Sequence, residues 1–79
     1  MSDDTLERFT RCAVEVLAVE PSQITPEARF GDDLDADSLD LVELVMALEE
    51  EFDIDVEEAE LEGIETVGQA LELVHAKRA

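Results

Sequence analysis

Ser38 stands between Asp37 and Asp40, where the acidic run Asp33-Leu34-Asp35-Ala36-Asp37-Ser38-Leu39-Asp40 meets an amphipathic helical pattern. A hydroxyl in such a place has three candidate uses: helix cap, nucleophile or point of covalent attachment. A catalytic serine needs a base within hydrogen-bond reach, itself oriented by a third group. The one histidine, His75, lies at the far end of the chain, and no Gly-x-Ser-x-Gly elbow surrounds Ser38. If Ser38 reacts, another protein must supply the base. A helix start suits a phosphoester, because the unsatisfied N–H groups of the first turn and the positive dipole end favour an anion. Asp37 and Asp40 would repel that anion, so their expected role is to meet basic groups, or a metal ion, on the enzyme that modifies or reads Ser38.

Other candidate chemistry is weaker. Asp33, Asp35 and Asp37 fit the first three ligand positions of an EF-hand. The pattern then fails, because Ser38 falls where Gly is needed and Leu44 where Glu is needed. Loose binding of divalent ions to the acidic surface is expected, and a specific metal site is not. Cys12 is the only cysteine, so an intramolecular disulfide and a thiolate cluster are both excluded. Its expected role is that of a small apolar residue on a helix. His75 has no ligand partner at helical spacing and falls with Lys77 and Arg78 at the end of a helix, where positive charge suits the dipole.

The charge balance narrows the partners. The 79 residues carry 23 acids against five Lys plus Arg, a formal net charge of -18. Between positions 29 and 77 there is no Lys or Arg at all. Nucleic-acid binding depends on cations neutralising phosphates, so that class is excluded. Anionic membranes are disfavoured likewise, whereas proteins with basic patches would be attracted at steered rates. No apolar stretch approaches the roughly 20 residues needed to cross a bilayer. The acidic start Met1-Ser2-Asp3-Asp4 lacks a signal peptide's basic and apolar regions, so a cytoplasmic location is expected. With 46% hydrophobic residues the chain still has material for a core, and its length points to one domain over 1–79.

The elements that must position Ser38 follow from periodicity. Leu6, Phe9, Ala13, Val16 and Leu17, with Cys12 at the edge, form one helical stripe, behind N-cap candidates Asp3, Asp4 and Thr5. That helix should run to about Ala18 and end before Pro21. Residues 19–37 form a long connection anchored by Ile24, Phe30 and Leu34, with one possible helical turn at 22–25 before Pro26. Over 39–52, Leu41, Leu44, Val45, Leu48 and Phe52 share one face. Leu39, Val42 and Met46 fall nearly opposite, among Glu43, Glu49 and Glu50. A surface helix needs one apolar stripe, so the second reads as an exposed partner site. Ile54 and Val56 should cover the core from an extended loop, and 57–62 should form a short helix turning Ala59 and Leu61 inward, closed by Gly63. Thr66 should cap a last helix whose inner stripe is Val67, Ala70, Leu71 and Val74. The sum is an all-α fold, a small four-helix bundle of three main helices and one short one.

The run from Asp33 to Asp40, followed by Val42-Glu43-Leu44-Val45-Met46-Ala47-Leu48-Glu49-Glu50-Glu51-Phe52, resembles the signature of acyl carrier proteins, most closely the free-standing bacterial type II kind. Phe30, Val56, Ile64, Thr66 and Val67 also match in type and spacing, so the resemblance covers essentially the whole chain. It implies a carrier, without catalytic activity of its own, for fatty-acid or polyketide biosynthesis. Ser38 would accept a 4'-phosphopantetheine arm from coenzyme A, transferred by a phosphopantetheinyl transferase, and the arm's thiol would carry acyl groups as thioesters. Members can also shelter an acyl chain between their helices. The resemblance implies partner-docking roles for Asp37, Leu39, Asp40, Val42, Glu43, Met46 and Glu49. The partners implied are the transferase, acyltransferases, ketosynthases and other synthase enzymes with basic docking patches, served by a monomeric carrier. A D-alanyl or peptidyl carrier is the nearest alternative, and an acidic adaptor or calcium-binding domain the remote one. Three residues depart from the family pattern: Asp35 replaces the usual Gly, Leu41 a small polar residue, and Gly68 sits early in the last helix.

Overall fold

A computed structural model describes residues 4–78. The helical stripes become α1 (Thr5–Leu17), α2 (Ser38–Phe52), a single turn α3 (Glu58–Leu61) and α4 (Val67–Arg78), with a 3-10 turn at Pro21–Gln23 in the long connection. Strands are absent among the described residues. The only pairing of that kind there is an isolated antiparallel bridge between Arg29 and Thr66. None of these helices is long and apolar enough to cross a membrane.

On α1, Phe9 and Ala13 are buried as expected, but the third buried position is Thr5 and not Leu6, which is 43% exposed. Residues 5, 9 and 13 lie on one line at helical spacing, whereas Leu6 is turned about 100° away. Burying the hydroxyl is tolerable because Thr5 Oγ1 accepts a hydrogen bond from Arg78 at 2.7 Å. Of the expected N-caps, Asp3 lies outside the described residues, Asp4 takes the position without a side-chain cap bond, and Thr5 is already helical. The helix closes at Ala18 in the left-handed region (φ 56°), whose N–H donates to Val14 O.

The long connection is ordered by both backbone and side chains. Its helical turn begins at Pro21, one residue earlier than expected, because Glu20 and Gln23 form a capping box around it. Ile24, Phe30 and Leu34 are buried as anticipated, and Ala28 joins them. Residues 26–30 lie along the start of α4. Phe30 N–H donates to Glu65 O, Val67 N–H to Ala28 O, and Gly68 N–H to Pro26 O at 3.0 Å. This pairing was not visible in the sequence, and it accounts for Gly68. A methyl there would meet Pro26 O at 3.0 Å. Helix propensity alone would favour alanine by up to about 1 kcal/mol. Crowding a backbone carbonyl should outweigh that, so Gly68→Ala is expected to lower stability by about 1 kcal/mol net in urea unfolding. A gain in stability would show that the 26–30 segment gives way.

Helix α2 buries Leu44, Val45, Leu48 and Phe52, with Leu41 only half-buried. Ile54 and Val56 cover the core from the extended stretch after it, as expected. On α3 the expectation holds for Leu61 and fails for Ala59, which is exposed. Positions 59 and 61 are two apart and about 200° apart on a helix, so one turn can bury only one of them. The larger Leu61 takes the inside. Thr66 caps α4 as expected: its Oγ1 accepts from Gln69 N–H at 3.2 Å, and Gln69 Oε1 accepts from Thr66 N–H at 3.0 Å. Val67, Ala70 and Val74 are buried and Leu71 is half-buried.

Arg8 and Lys77 tie helix ends together. Arg8 Nε donates to Glu51 Oε2 and its Nη2 to Glu51 O, both at 2.6 Å. Lys77 pairs with Glu60 at 2.9 Å. The hydrogen bond from Arg8 holds the Glu51 carboxyl below its ordinary value of 4.5, against the opposing effect of burial. The Glu60 carboxyl is held low first by the backbone N–H of Glu57 and then by Lys77. A depressed carboxyl contributes stability above its unfolded pKa and loses it as pH falls through the folded one. Glu51→Gln should therefore destabilise the fold at neutral pH, and the difference should close below 4.5. A difference that stays constant into strong acid would mean the carboxylate charge contributes nothing.

Candidate functional site

Ser38 is the first residue of α2 and is exposed. The cap is supplied by Asp37, whose Oδ1 accepts from Asp40 N–H at 2.9 Å, while Asp40 Oδ2 accepts from Asp37 N–H at 3.3 Å. This capping box gives each of the two aspartates a local structural job beside the partner-facing role expected of them. It also leaves the Ser38 hydroxyl outside the cap, although its place in the first turn sets it at the positive end of the helix dipole.

The loop that delivers the chain to Ser38 is tightly knit. The Asp33 carboxylate accepts from Arg29 N–H at 2.8 Å, and Arg29 O accepts from the N–H groups of Asp33 and Leu34. Ala36 N–H donates to Phe30 O at 2.8 Å. Asp33 is thus committed to a turn. Among the described residues, no group of three or more His, Cys, Asp or Glu is arranged to hold a metal ion. Asp35 adopts φ 55°, in the left-handed region that glycine enters without strain and aspartate tolerates better than most. The loop therefore keeps a geometry open to glycine, with an added charge.

Two clefts meet at Ser38 and share Leu41 as their dividing wall. One, of about 330 Å³, lies toward the loop and is lined by Arg29, Phe30, Asp32, Ala36, Ile64 and Glu65 among others. The other, of about 270 Å³, lies between α2 and α3, with Val42, Glu58, Leu61 and Glu62 around it. The exposed Ser38 hydroxyl at the rim of both clefts has room for a long flexible substituent, which is the fit that a phosphopantetheine arm requires.

Beyond Ser38, the outer face of α2 carries Leu39 at 65% and Met46 at 57% exposure, with Val42 also open. Asp37 and Glu43 are exposed beside them, and Asp40 is half-buried. Glu49 differs from the rest: it is half-buried, and its Oε2 accepts from Val56 N–H at 2.9 Å, tying the extended stretch to the helix. Sequence reasoning passed over Arg29 as well. The available signal was that it is the only Lys or Arg between positions 11 and 77. Cys12 is half-buried, and burial pushes its thiol pKa up, the opposite of a reactive thiolate.

Comparison with known proteins agrees with this geometry. Residues 7–74 match the family model described as a phosphopantetheine attachment site. The chain is 50% identical over 76 residues, covering 96% of its length and 97% of theirs, to proteins named acyl carrier protein from two strains of Caulobacter vibrioides, NA1000 / CB15N and ATCC 19089. A match over almost the whole of both chains leaves no large part of this protein outside the likeness, and the chain belongs to the phosphopantetheine-attachment family and, within it, to the acyl carrier proteins.

Proposed function

We propose that Ser38 is the residue that bears the covalent 4'-phosphopantetheine, and that 1–79 is a single carrier domain serving fatty-acid synthesis. The observation that carries the assignment is an exposed serine at a helix N-terminus whose cap is made by its neighbour Asp37, with a cleft on either side. In the attachment step Ser38 Oγ bonds to the phosphorus of coenzyme A's arm, the bond to the nucleotide breaks and 3',5'-ADP leaves. The serine proton passes to a base on the transferase, since no histidine is among the residues that line either cleft at Ser38. Once attached, the arm offers a thiol that holds acyl groups as thioesters. The chain's own part is to present that arm, and catalysis belongs to its partners.

The partner-facing surface in this reading is Leu39, Val42 and Met46, rimmed by Asp37, Asp40 and Glu43. Apolar side chains left open amid like charge fit enzymes that bring a basic patch around a small apolar contact. Glu49 belongs to this surface only in part, because its carboxylate is held by Val56. Met46→Glu is expected to reduce kcat/KM for the transferase about tenfold with the melting temperature unchanged. Loss of the fold instead would show Met46 to be core.

Loading separates this function from its nearest alternative. The arm-bearing chain, mixed with malonyl-coenzyme A and a malonyl transferase, should gain a malonyl mass that neutral hydroxylamine removes. A chain that refuses malonyl but accepts D-alanine or another amino acid from an adenylating enzyme would be a carrier of the other kind.

A further inference from the structure

The prosthetic phosphodiester poses an electrostatic problem. It brings a negative charge to Ser38, where Asp37 and Asp40 are held in the capping box and cannot turn away. Asp32 and Glu65 line the larger cleft, and Glu58 and Glu62 the smaller. Among the described residues, only one cationic side chain borders either cleft. It is Arg29, on the larger one.

The way Arg29 is held suits it to an incoming anion. Its backbone is fixed at both ends, with the N–H on Asp33 Oδ2 and the carbonyl taking two N–H groups. Among the described residues its guanidinium has one ion pair, to Asp32 at 3.5 Å, with the two side chains 65% and 77% exposed. Exposed pairs of this spacing contribute little, whereas a guanidinium on a phosphate makes short, charge-assisted and often paired hydrogen bonds. A fixed root and a loosely held tip let Arg29 exchange Asp32 for a better partner without disturbing the turn.

Resting on the assignment of the arm to Ser38, we infer that Arg29 grips the prosthetic phosphodiester and thereby lays the pantetheine along the cleft beside Phe30 and Ile64. That cleft offers both walls the arm requires: polar groups for its amides, and Phe30, Leu41 and Ile64 for its geminal methyls. The smaller cleft offers no cation to the phosphate. Arg29 is a positioning residue here. It decides on which side of Leu41 the root of the arm rests before any partner arrives.

The test uses the full chain bearing a 13C-labelled arm, its loading first verified by intact mass. The wild type should show NOEs from the geminal methyls to Phe30 and Ile64, and a 31P resonance that moves with added salt as the ion pair is screened. In Arg29→Gln the NOEs should be lost and the 31P shift should become insensitive to moderate salt. Arg29→Lys should restore the salt response in part. Asp32→Asn removes the competing carboxylate and should strengthen the same NOEs, so the inference does not hang on one variant. Unchanged NOEs and 31P behaviour in Arg29→Gln would overturn it, as would NOEs confined to Val42 and Leu61. A chain that never gains the arm overturns the Ser38 assignment as well, an outcome distinct from a loaded arm that ignores Arg29.

Discussion

Phe52→Ala should be the most damaging substitution in the core, lowering stability by about 3–5 kcal/mol. Phe52 is 7% exposed at the end of α2, and its ring is covered on the outside by two arginines. The Arg8 guanidinium lies 4.6 Å from the ring centroid and that of Arg78 5.0 Å. Arg8 is fixed in turn by Glu51, and Arg78 by Thr5. One ring therefore ties together α1, the end of α2 and the end of α4. Truncation leaves a cavity and also removes two cation–π contacts, each adding about 0.5–1 kcal/mol at such partly exposed sites. A domain this small stands near the lower end of the usual 5–15 kcal/mol, so the variant should be largely unfolded at moderate temperature. Phe52→Leu keeps most of the apolar volume and loses the ring face, so it should cost only about 1–2 kcal/mol. Thermal unfolding followed by circular dichroism measures both. If Phe52→Ala melts within a few degrees of the wild type, the arginines and the ring do not hold the helix ends together.

That cluster also marks the limit of what the sequence could reveal. The two faces of α2 were legible because Leu44, Val45, Leu48 and Phe52 repeat at one helical phase and Leu39, Val42 and Met46 at another. Periodicity measures a residue against its own helix. It cannot say which distant segment covers it, so the burial of Thr5 under Arg78, 73 positions away, was out of reach, and Leu6 was placed inside because it stands at helical spacing from Phe9 and Ala13. The same limit hid the pairing of residues 26–30 with the start of α4, where backbone groups meet with no side-chain signature except Gly68. At the site, Ser38 and the exposed stripe were readable from residue type and spacing. The division of labour between Asp37 and Ser38 was not, because either side chain could have capped α2, and the choice is settled by a carboxylate reaching Asp40 N–H at 2.9 Å. Glu49 is a similar case: its sequence position suits a docking acid, but its carboxylate is held by Val56 N–H at 2.9 Å.

The second large effect is expected at Ser38 itself, and it is a loss of function without a loss of fold. Since Asp37 and Asp40 cap each other, removing the Ser38 hydroxyl breaks no hydrogen bond that holds the helix start. Ser38→Ala should therefore stay within about 0.5 kcal/mol of the wild type in stability. The modification should nonetheless vanish, because among the described residues no other hydroxyl lies at the head of α2: Ser22 and Thr25 are in the long connection, and Thr66 is used as the cap of α4.

The most direct test is the intact mass of wild type and Ser38→Ala after incubation with coenzyme A, magnesium and a broad-specificity phosphopantetheinyl transferase. The wild type should gain the mass of one 4'-phosphopantetheine, and Ser38→Ala, equally folded, should gain none. An unmodified wild type, or a Ser38→Ala chain that gains the same mass, would contradict the assignment.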